Sequence, residues 1–269
     1  MRAEQLAGGT VLSEGPVWWP AWGGLRWVDI ETGDVLRLGD GGAVERWHVG
    51  TRAAAVRPRR DGAMVVALER GFGLAGEWGS PVEALPELWS GEHIRFNDGA
   101  CDPDGRFWCG TMRYDTAPGD GALFRLDPDG SAVRMIEGIG LSNGLSWTPD
   151  GTAAYYVDTL LPRVDRFDYY DGALHDRREF VSIPDGCGQP DGLTVDAEGG
   201  VWVALWDGGA VHRYGPDGSL DFVVEVDEPK TTSAAFGGAD LDELFITATS
   251  GLYHLTPGVR GVPTLAFAG

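Results

Sequence analysis

Polar side chains recur at one position of a segment that is repeated along the chain. They are Glu14 in SEGPVWW, Asn97 in RFNDG, Asn143 in LSNGL and Asp191 in PDGLTVD. Each lies eight to ten residues before a turn-and-strand unit. Carboxylate and amide oxygens that converge form a site for a hard cation. We therefore predict that Glu14, Asn143 and Asp191 are ligands of one divalent metal, with open positions for water and substrate, as in catalytic metal sites.

Each of these residues has a simpler explanation when it is taken alone, because Asn-Gly and Asp-Gly pairs are common in turns. The shared position in four units argues against that explanation. Two units do not contribute in the same way. The second unit has Ala53 and Ala54 at this position, and the sixth has Thr232 and Ser233.

Arg95 and Asn97 are two residues apart in the segment IRFND. Side chains alternate along a strand, so both should lie on the same side and face the cation site. A guanidinium donates a planar fork of N–H groups to oxygen atoms, which favours a role in substrate binding. A surface salt bridge is the alternative for Arg95. Asp98 should point the other way and order the turn at Gly99.

Six turn-and-strand units must position these side chains. They are Gly24-LRWVDI, Gly62-AMVVAL, Gly105-RFWCGT, Gly151-TAAYYVDT, Gly200-VWVALW and Asp242-ELFITAT. Their starts are 38, 43, 46, 49 and 42 residues apart. Short strands that repeat at about 40–50 residues are typical of propeller blades, whereas solenoids repeat at about 20–35 residues or use helices. The sequence predicts an all-β fold, a six-bladed β-propeller with four-stranded blades around a central metal-containing channel.

Equivalent positions in a closed ring lie around one axis, so the polar side chains would converge at one mouth of the channel. No linker or low-complexity segment interrupts the repeat. We therefore expect residues 1–269 to form a single domain. The N-terminal residues are expected to complete the last blade, because this would close the ring and remove a free sheet edge.

The composition narrows the class of partner. Lys and Arg number 21 and Asp and Glu number 41, which gives a formal net charge of −20. A negative field repels phosphate backbones and anionic lipids, so nucleic-acid and membrane partners are not expected. The N-terminus MRAEQLAGGT has no apolar signal-peptide core, and no run of 18 apolar residues occurs. A cytoplasmic location is therefore expected.

Other motifs of catalysis are missing from the sequence. The cysteines Cys101, Cys109 and Cys187 are odd in number and form no CxxC pair. We expect them to be buried free thiols rather than a disulfide framework or a zinc site. The sequence has no G-x-S-x-G nucleophile elbow and no phosphate-binding loop, so serine hydrolysis has no support.

Six stretches of the chain resemble the gluconolactonase/regucalcin family, which includes senescence marker protein and luciferin-regenerating-enzyme-like proteins. They are SEGPVWW at 13–19, RFNDGACDPDGRFWCGTM at 95–112, GALFRLDPDG at 121–130, LSNGLSWTPDG at 141–151, PDGLTVDAEGGVWVALWDGG at 190–209 and KTTSAAFGG at 230–238. The resemblance extends over nearly the whole chain. It implies a six-bladed propeller with one catalytic divalent cation bound by Glu14, Asn143 and Asp191.

The resemblance also implies the roles of individual residues and a reaction. Asp191 would be the general base, and Arg95 and Asn97 would bind substrate. A looser match implies a substrate contact at Asp115. The implied activity is metal-dependent hydrolysis of the ester ring of sugar (aldono-) lactones such as gluconolactone. Either Asp191 or the cation itself could activate the attacking water, and the sequence leaves both open.

Three further points stay open at the level of sequence. One alternative function is an organophosphate-type metal hydrolase on the same fold, and another is a non-enzymatic calcium-binding regulatory protein. Oxygen ligands suit Ca²⁺, Mg²⁺ and Mn²⁺ and do not exclude Zn²⁺ or Fe²⁺. The expected partner is a small-molecule sugar lactone, and the oligomeric state cannot be predicted.

Overall fold

The computed structural model of the chain describes residues 1–39 and 42–269. The first half contains β1 (Glu4–Gly8), β2 (Ser13–Trp19), the 3-10 helix Pro20–Trp22, β3 (Gly24–Asp29), β4 (Asp34–Leu38), β5 (Val44–His48), β6 (Ala55–Pro58), β7 (Met64–Ala67), β8 (Phe72–Ala75), β9 (Glu83–Ala84), β10 (Ile94–Cys101), β11 (Phe107–Arg113), β12 (Gly121–Leu126) and β13 (Ala132–Ile139). The second half contains β14 (Ser142–Trp147), β15 (Ala153–Asp158), β16 (Arg163–Tyr170), β17 (Ala173–Ser182), β18 (Gln189–Val195), β19 (Val201–Trp206), β20 (Ala210–Tyr214), β21 (Leu220–Glu225), β22 (Thr231–Gly237), β23 (Glu243–Ala248) and β24 (Gly251–Leu255).

These strands form six antiparallel sheets of four strands each. The first five sheets, or blades, take their strands in chain order and begin with β2, β6, β10, β14 and β18. The innermost strand of each blade contacts that of the next blade, and β22 contacts β2, which closes the ring. The six-bladed propeller predicted from the repeat is therefore confirmed. Each of the six predicted turn-and-strand units contains the second strand of a blade.

The sixth blade joins the two ends of the described chain. Its order is β22, β23, β24 and β1, with Glu4 opposite His254 and Gly8 opposite Gly251. The expectation that the N-terminal residues complete the last blade is therefore confirmed. The edge of β24 is paired rather than open to another chain.

The hydrophobic core is divided into six clusters, and each cluster fills the space between two neighbouring blades. The largest fully buried side chains include Trp27, Trp108 and Trp202. Phe267, near the end of the chain, is also buried, between the second and third blades. Every blade therefore shares its core with both neighbours, and the ring is one continuous packing unit.

Buried aspartates connect the turns to two of these tryptophans, Trp108 and Trp202. Asp102 accepts the backbone N–H of the residue four positions later and the indole N–H of Trp108, both at 2.8 Å. Asp196 makes the same two contacts, again at 2.8 Å, with Trp202 as the indole donor. The carboxylate thus satisfies the turn and the indole at once, which explains why an acidic residue opens these repeated turns.

The three cysteines are free thiols. Cys101 and Cys109 are buried, as expected, whereas Cys187 is partly exposed and corrects that part of the prediction. Burial raises the pKa of the Cys109 thiol well above its usual range. No helix that the structure describes is long and apolar enough to cross a membrane.

We predict that Asp196→Ala destabilises the fifth blade strongly. Asp196 is fully buried and also accepts the Arg213 guanidinium at 2.7 Å. The variant leaves the backbone N–H of Gly200 and the indole N–H of Trp202 buried without an acceptor, at about 1–3 kcal/mol each, whereas Arg213 keeps its ion pairs with Glu198 and Asp221. Urea unfolding measures this loss of unfolding free energy. The exposed turn residue Asp129, which accepts from Ser131, is the matched control. Asp129→Ala should cost about 1 kcal/mol or less, and equal losses for the two variants would contradict the argument.

Candidate active site

The predicted polar side chains lie at β-bulges in the innermost strands of four blades. The strand register shifts between Glu14 and Val17 in β2, between Phe96 and Gly99 in β10, between Ser142 and Leu145 in β14, and between Pro190 and Leu193 in β18. A bulge bends the strand locally and re-aims its side chains. The innermost strand of the second blade, β6, pairs with β7 without a shift. That blade has only alanines at this position.

The sixth blade also has a bulge in its innermost strand, between Thr231 and Ser233. Its polar side chain has a different use. The Thr232 hydroxyl donates to the Ser13 carbonyl at 2.7 Å, and this contact joins the sixth blade to the first. Four of the six blades therefore contribute a polar side chain to one cavity.

Glycine is required where neighbouring innermost strands approach most closely. A Cβ atom at Gly144 would lie 2.6 Å from the Leu193 nitrogen and 2.9 Å from the Asp191 carbonyl oxygen. A Cβ atom at Gly192 would overlap the Ser233 side chain. These two neighbours of Gly144 are backbone atoms, which cannot rotate aside as a side chain can, and the Leu193 Cγ atom would also lie at 2.8 Å. The glycines after Asn143 and Asp191 thus let the innermost strands of the fourth, fifth and sixth blades approach one another closely beside the predicted ligands.

The four polar side chains and Arg95 line a single cavity of about 340 Å³. All five are buried, with 4–5% of their surface exposed. The remaining wall is largely apolar and includes Leu12, Met112, Leu141, Leu160 and Trp206. The structure therefore brings together Glu14, Asn143, Asp191, Arg95 and Asn97, although the roles assigned to them stay predictions.

Asp115 does not line this cavity. Its carboxylate lies 2.6 Å from the Arg113 guanidinium and accepts the backbone N–H of Ala117 at 3.1 Å. More than half of its side-chain surface is exposed. The next residue, Thr116, lines the cavity instead. The predicted substrate contact at Asp115 stays a prediction, and its side chain would have to leave Arg113 to make it.

Arg95 is held by its own strand and by the neighbouring blade. Its Nη1 donates to Asn97 Oδ1 and to the Phe96 carbonyl, each at 2.8 Å. Asn97 Nδ2 in turn donates to the Ser142 carbonyl at 2.9 Å. No carboxylate of the described residues lies within 4.0 Å of the Arg95 guanidinium. The salt bridge considered for Arg95 is therefore not formed, and hydrogen bonds to oxygen atoms of its own strand hold the guanidinium in place.

Two oxygen atoms in the cavity have no hydrogen-bond donor. Asn143 Oδ1 and Asp191 Oδ1 are buried and unpartnered among the described residues. Leaving a buried acceptor unsatisfied costs about 1–3 kcal/mol, and more for a charged group. In native proteins such an oxygen is paired with an ordered water or a bound ion, or has a catalytic role. Two unpartnered oxygens beside the Glu14 carboxylate fit a hard divalent cation.

The charges around the cavity support the same fit. Burial raises the pKa values of Glu14 and Asp191 well above their usual ranges, and the charge of Asp98 raises both further. Burial raises the pKa of Asp98 as well, against the opposing charge of Arg57 at 3.7 Å. Carboxylates that disfavour one another's ionisation are stabilised by a bound cation.

The oxygen donors form a mixed set of two carboxylates and one amide. Within residues 1–39 and 42–269, no three or more His, Cys, Asp or Glu side chains are grouped closely enough to bind a metal ion by themselves. The fit to a cation therefore depends on the amide oxygen of Asn143 as the third donor. Amide and carboxylate oxygens are the donors that hard cations prefer.

A second, smaller cavity of about 110 Å³ lies farther along the same innermost strands. Leu145, Leu193 and the segment 262–265 line it, together with Asp98 and Arg57. Asp98 Oδ1 accepts the backbone N–H of Gly99 at 2.7 Å, as strand alternation suggested. None of the three predicted cation ligands lines this cavity, so the candidate site belongs to the larger one.

Comparison with known proteins identifies the family. Residues 12–250 match the family described as "SMP-30/Gluconolactonase/LRE-like region". The chain belongs to this family. Pentonolactonase XacC from Haloferax volcanii is 40% identical over 243 residues, which cover 89% of this chain and 82% of the relative. The resemblance found in the sequence is therefore confirmed.

Solved structures agree with this SMP-30/gluconolactonase membership. A calcium-binding protein, regucalcin, from Agrobacterium tumefaciens matches with a TM-score of 0.92 at 27% identity, over 98% of this chain and 97% of that one. A gluconolactonase from Xanthomonas campestris matches with a TM-score of 0.80 at 26% identity, over 94% and 89%. Both similarities extend over nearly the whole propeller.

Part of the cavity wall was not predicted from the sequence. Thr159 and Leu160 directly follow the second strand of the fourth blade, and Trp206 ends that of the fifth. The signal lies in strand pairing, because the second strand of each hairpin ends opposite the start of the innermost strand. Gln189, which pairs with Trp206, shows this directly. Residues at the far ends of the predicted strands were thus candidates for the cavity wall.

The raised carboxyl pKa values predict how the chelated protein responds to pH. In a chelator, each buried carboxyl binds its proton more tightly in the folded state than in the unfolded state, where its pKa is about 4. Below that pH the carboxyl is protonated in both states and does not reduce the unfolding free energy. As the pH rises toward the folded-state pKa, the unfolded state is favoured increasingly because only there is the carboxyl free to ionise. The melting temperature should therefore fall as the pH rises above about 5.

Variants and added cation check the origin of this slope. Asp191→Asn should flatten it, whereas the exposed control Asp217→Asn should leave it unchanged. A saturating divalent cation should raise the melting temperature more at pH 8 than at pH 5. The cost of ionising the buried carboxyls is larger at pH 8, and a cation that pairs with the carboxylates removes it. A melting temperature that does not change with pH in the chelated wild type would show that the pKa values of these carboxyls are not raised in the folded state.

Proposed function

We propose that this protein is a metal-dependent hydrolase that opens the ester ring of sugar lactones. The observation that carries the proposal is the pair of buried, unpartnered oxygens on Asn143 and Asp191 beside Glu14. They line a cavity that also contains Arg95, a buried arginine with no direct ion pair among the described residues. The names of similar proteins, a pentonolactonase and a gluconolactonase, support the substrate class.

Glu14, Asn143 and Asp191 would hold one divalent cation through oxygen atoms. When bound, such a cation polarises the lactone carbonyl and stabilises the negative charge that develops on its oxygen. The donor set suits Ca²⁺, Mg²⁺ or Mn²⁺, and Zn²⁺ or Fe²⁺ are also compatible with it. The description of a similar structure as calcium-binding supports calcium among these.

Arg95 and Asn97 would orient the substrate. Arg95 is fixed through Nη1, so its other N–H groups are available to the ring and hydroxyl oxygens of a sugar lactone. A fork that is already held loses little side-chain entropy when the substrate binds. Leu12, Leu160 and Trp206 would cover the C–H faces of the ring and exclude water.

Asp191 would move the proton. As the water oxygen bonds to the carbonyl carbon, the Asp191 carboxylate accepts a proton from that water. When the bond between the carbonyl carbon and the ring oxygen breaks, the proton passes to the departing oxygen, and the product is a hydroxy acid. A bound cation would lower the pKa of Asp191, whereas burial and the charge of Asp98 raise it.

Calcium binding without turnover is the second candidate function. It is favoured by the oxygen donor set and by the description of the similar regucalcin structure as a calcium-binding protein. This function needs the three ligands but neither Arg95 nor a proton acceptor. A turnover assay therefore separates the two functions, and a phosphotriester in the same panel tests the organophosphate alternative.

The cytoplasmic location stays a prediction.

We predict that chelation abolishes hydrolysis of gluconolactone or xylonolactone and that a divalent cation restores it. Asp191→Asn keeps an oxygen ligand but cannot accept the proton. Its kcat with saturating metal should fall at least about 10²-fold, the lower end for loss of a general base. A pH-indicator assay measures the rate, and calorimetry confirms metal binding. Near-normal turnover by metal-loaded Asp191→Asn would remove the proton role, and metal binding without turnover in the wild type would favour the calcium-binding function.

We predict that Arg95→Ala lowers kcat/KM for hydroxylated lactones more than for plain δ-valerolactone. A site that pairs with substrate hydroxyls discriminates against analogues without them, because its polar groups are then left unpaired. The panel is gluconolactone, xylonolactone, arabinolactone and δ-valerolactone. Arg134, exposed and paired with Glu137, provides the control variant Arg134→Ala. Equal wild-type rates on hydroxylated and plain lactones would overturn the sugar assignment while leaving lactone hydrolysis in place.

A further inference from the structure

Thr159 connects two of the candidate cation ligands. It directly follows β15 and is buried, with 7% of its surface exposed. Its hydroxyl accepts Asn143 Nδ2 at 3.1 Å and donates to the Pro190 carbonyl at 2.8 Å. Pro190 immediately precedes Asp191. One hydroxyl therefore bridges a ligand side chain of the fourth blade and the backbone beside a ligand of the fifth.

The direction of these two hydrogen bonds follows from elementary chemistry. A backbone carbonyl has no proton, so the Thr159 hydroxyl must be the donor to Pro190. Having given its only proton, the hydroxyl can offer Asn143 nothing but a lone pair. Asn143 must then turn its NH₂ group toward Thr159. Its oxygen is consequently the atom left without a protein partner.

We propose that Thr159 is a positioning residue that holds the Asn143 amide with its oxygen toward the cation. This inference rests on the proposed function, because it assigns a purpose to the unpartnered oxygen. Without the Thr159 hydroxyl, neither the NH₂ group nor the oxygen of Asn143 would find a hydrogen-bond partner at residue 159. Nothing at that residue would then favour one orientation of the amide over the other. An amide rotated by a half turn would present N–H groups to the cation and repel it.

Thr159 also lines the cavity, so contact with substrate is the competing role. Titration of the metal in the absence of substrate separates the two roles. Thr159→Val is nearly isosteric and leaves the charge of the site unchanged, so an altered affinity cannot come from net electrostatics. Loss of a residue that orients a ligand typically weakens metal binding 10–100-fold.

The experiment is calorimetric titration of the chelated and dialysed protein with manganese chloride and with calcium chloride. Thr159→Val should weaken binding about 10–100-fold, and Thr159→Ser, which keeps the hydroxyl, should stay close to the wild type. Thr111 supplies the matched control. It is buried, exchanges hydrogen bonds with Ala122 in the third blade and does not line the cavity. Thr111→Val should leave the affinity unchanged.

A double-mutant cycle tests whether Thr159 acts through Asn143. Asn143→Ala should weaken binding by itself, and adding Thr159→Val in that background should weaken it no further. Additive effects, or wild-type affinity in Thr159→Val, would overturn the inference. Absence of cation binding in the wild type would overturn the proposed function and this inference together. Circular dichroism verifies folding, and Thr159→Ala replaces the valine variant if the latter does not fold.

Discussion

The close approach of the innermost strands at the centre of the ring is the constraint on which the site depends. Gly144 leaves no room for a side chain between the fourth and fifth blades. The adjacent bulges then direct Asn143 and Asp191 away from the ladder and into the cavity. Where the bulge is missing, in the second blade, the corresponding residues are alanines that pack in the core. Backbone geometry and ligand chemistry are therefore specified together, blade by blade.

The groups of the candidate site lower the free energy of unfolding of the propeller. Burial holds several carboxyl groups in an unfavourable environment, and two of the facing oxygens lack donors. The six inter-blade cores supply the rigidity that keeps these groups in place. Hydrogen bonds from Asn97 to the fourth blade and from Thr159 to the fifth transmit this rigidity to the side chains. A bound cation would remove the conflict and stabilise the ring at the same point.

Much of this arrangement could be predicted from the sequence, because a closed repeat converts equal spacing into spatial proximity. Glu14, Asn143 and Asp191 share one position in their units, and the ring places them in one cavity. Alternation also placed Arg95 beside Asn97, but it could not exclude a surface salt bridge, since burial depends on neighbouring blades. Asp115 lies in the connection after β11, where it pairs with Arg113 instead of entering the cavity. Thr159 stands outside the repeated position, and its role depends on the direction of a hydroxyl that no spacing encodes.

The pairing of β1 with β24 has a consequence for how the molecule folds. Glu4 and His254 are partners although almost the whole chain separates them, so this contact has about the highest sequence separation available to the protein. Contacts of this kind slow folding, because the entropy of closing the loop is lost before the contact stabilises anything. During synthesis, the first strand must wait unpaired until the last blade has left the ribosome. Weak pairing at this one seam would therefore prolong the lifetime of two open edges at once, and aggregation would compete with folding there.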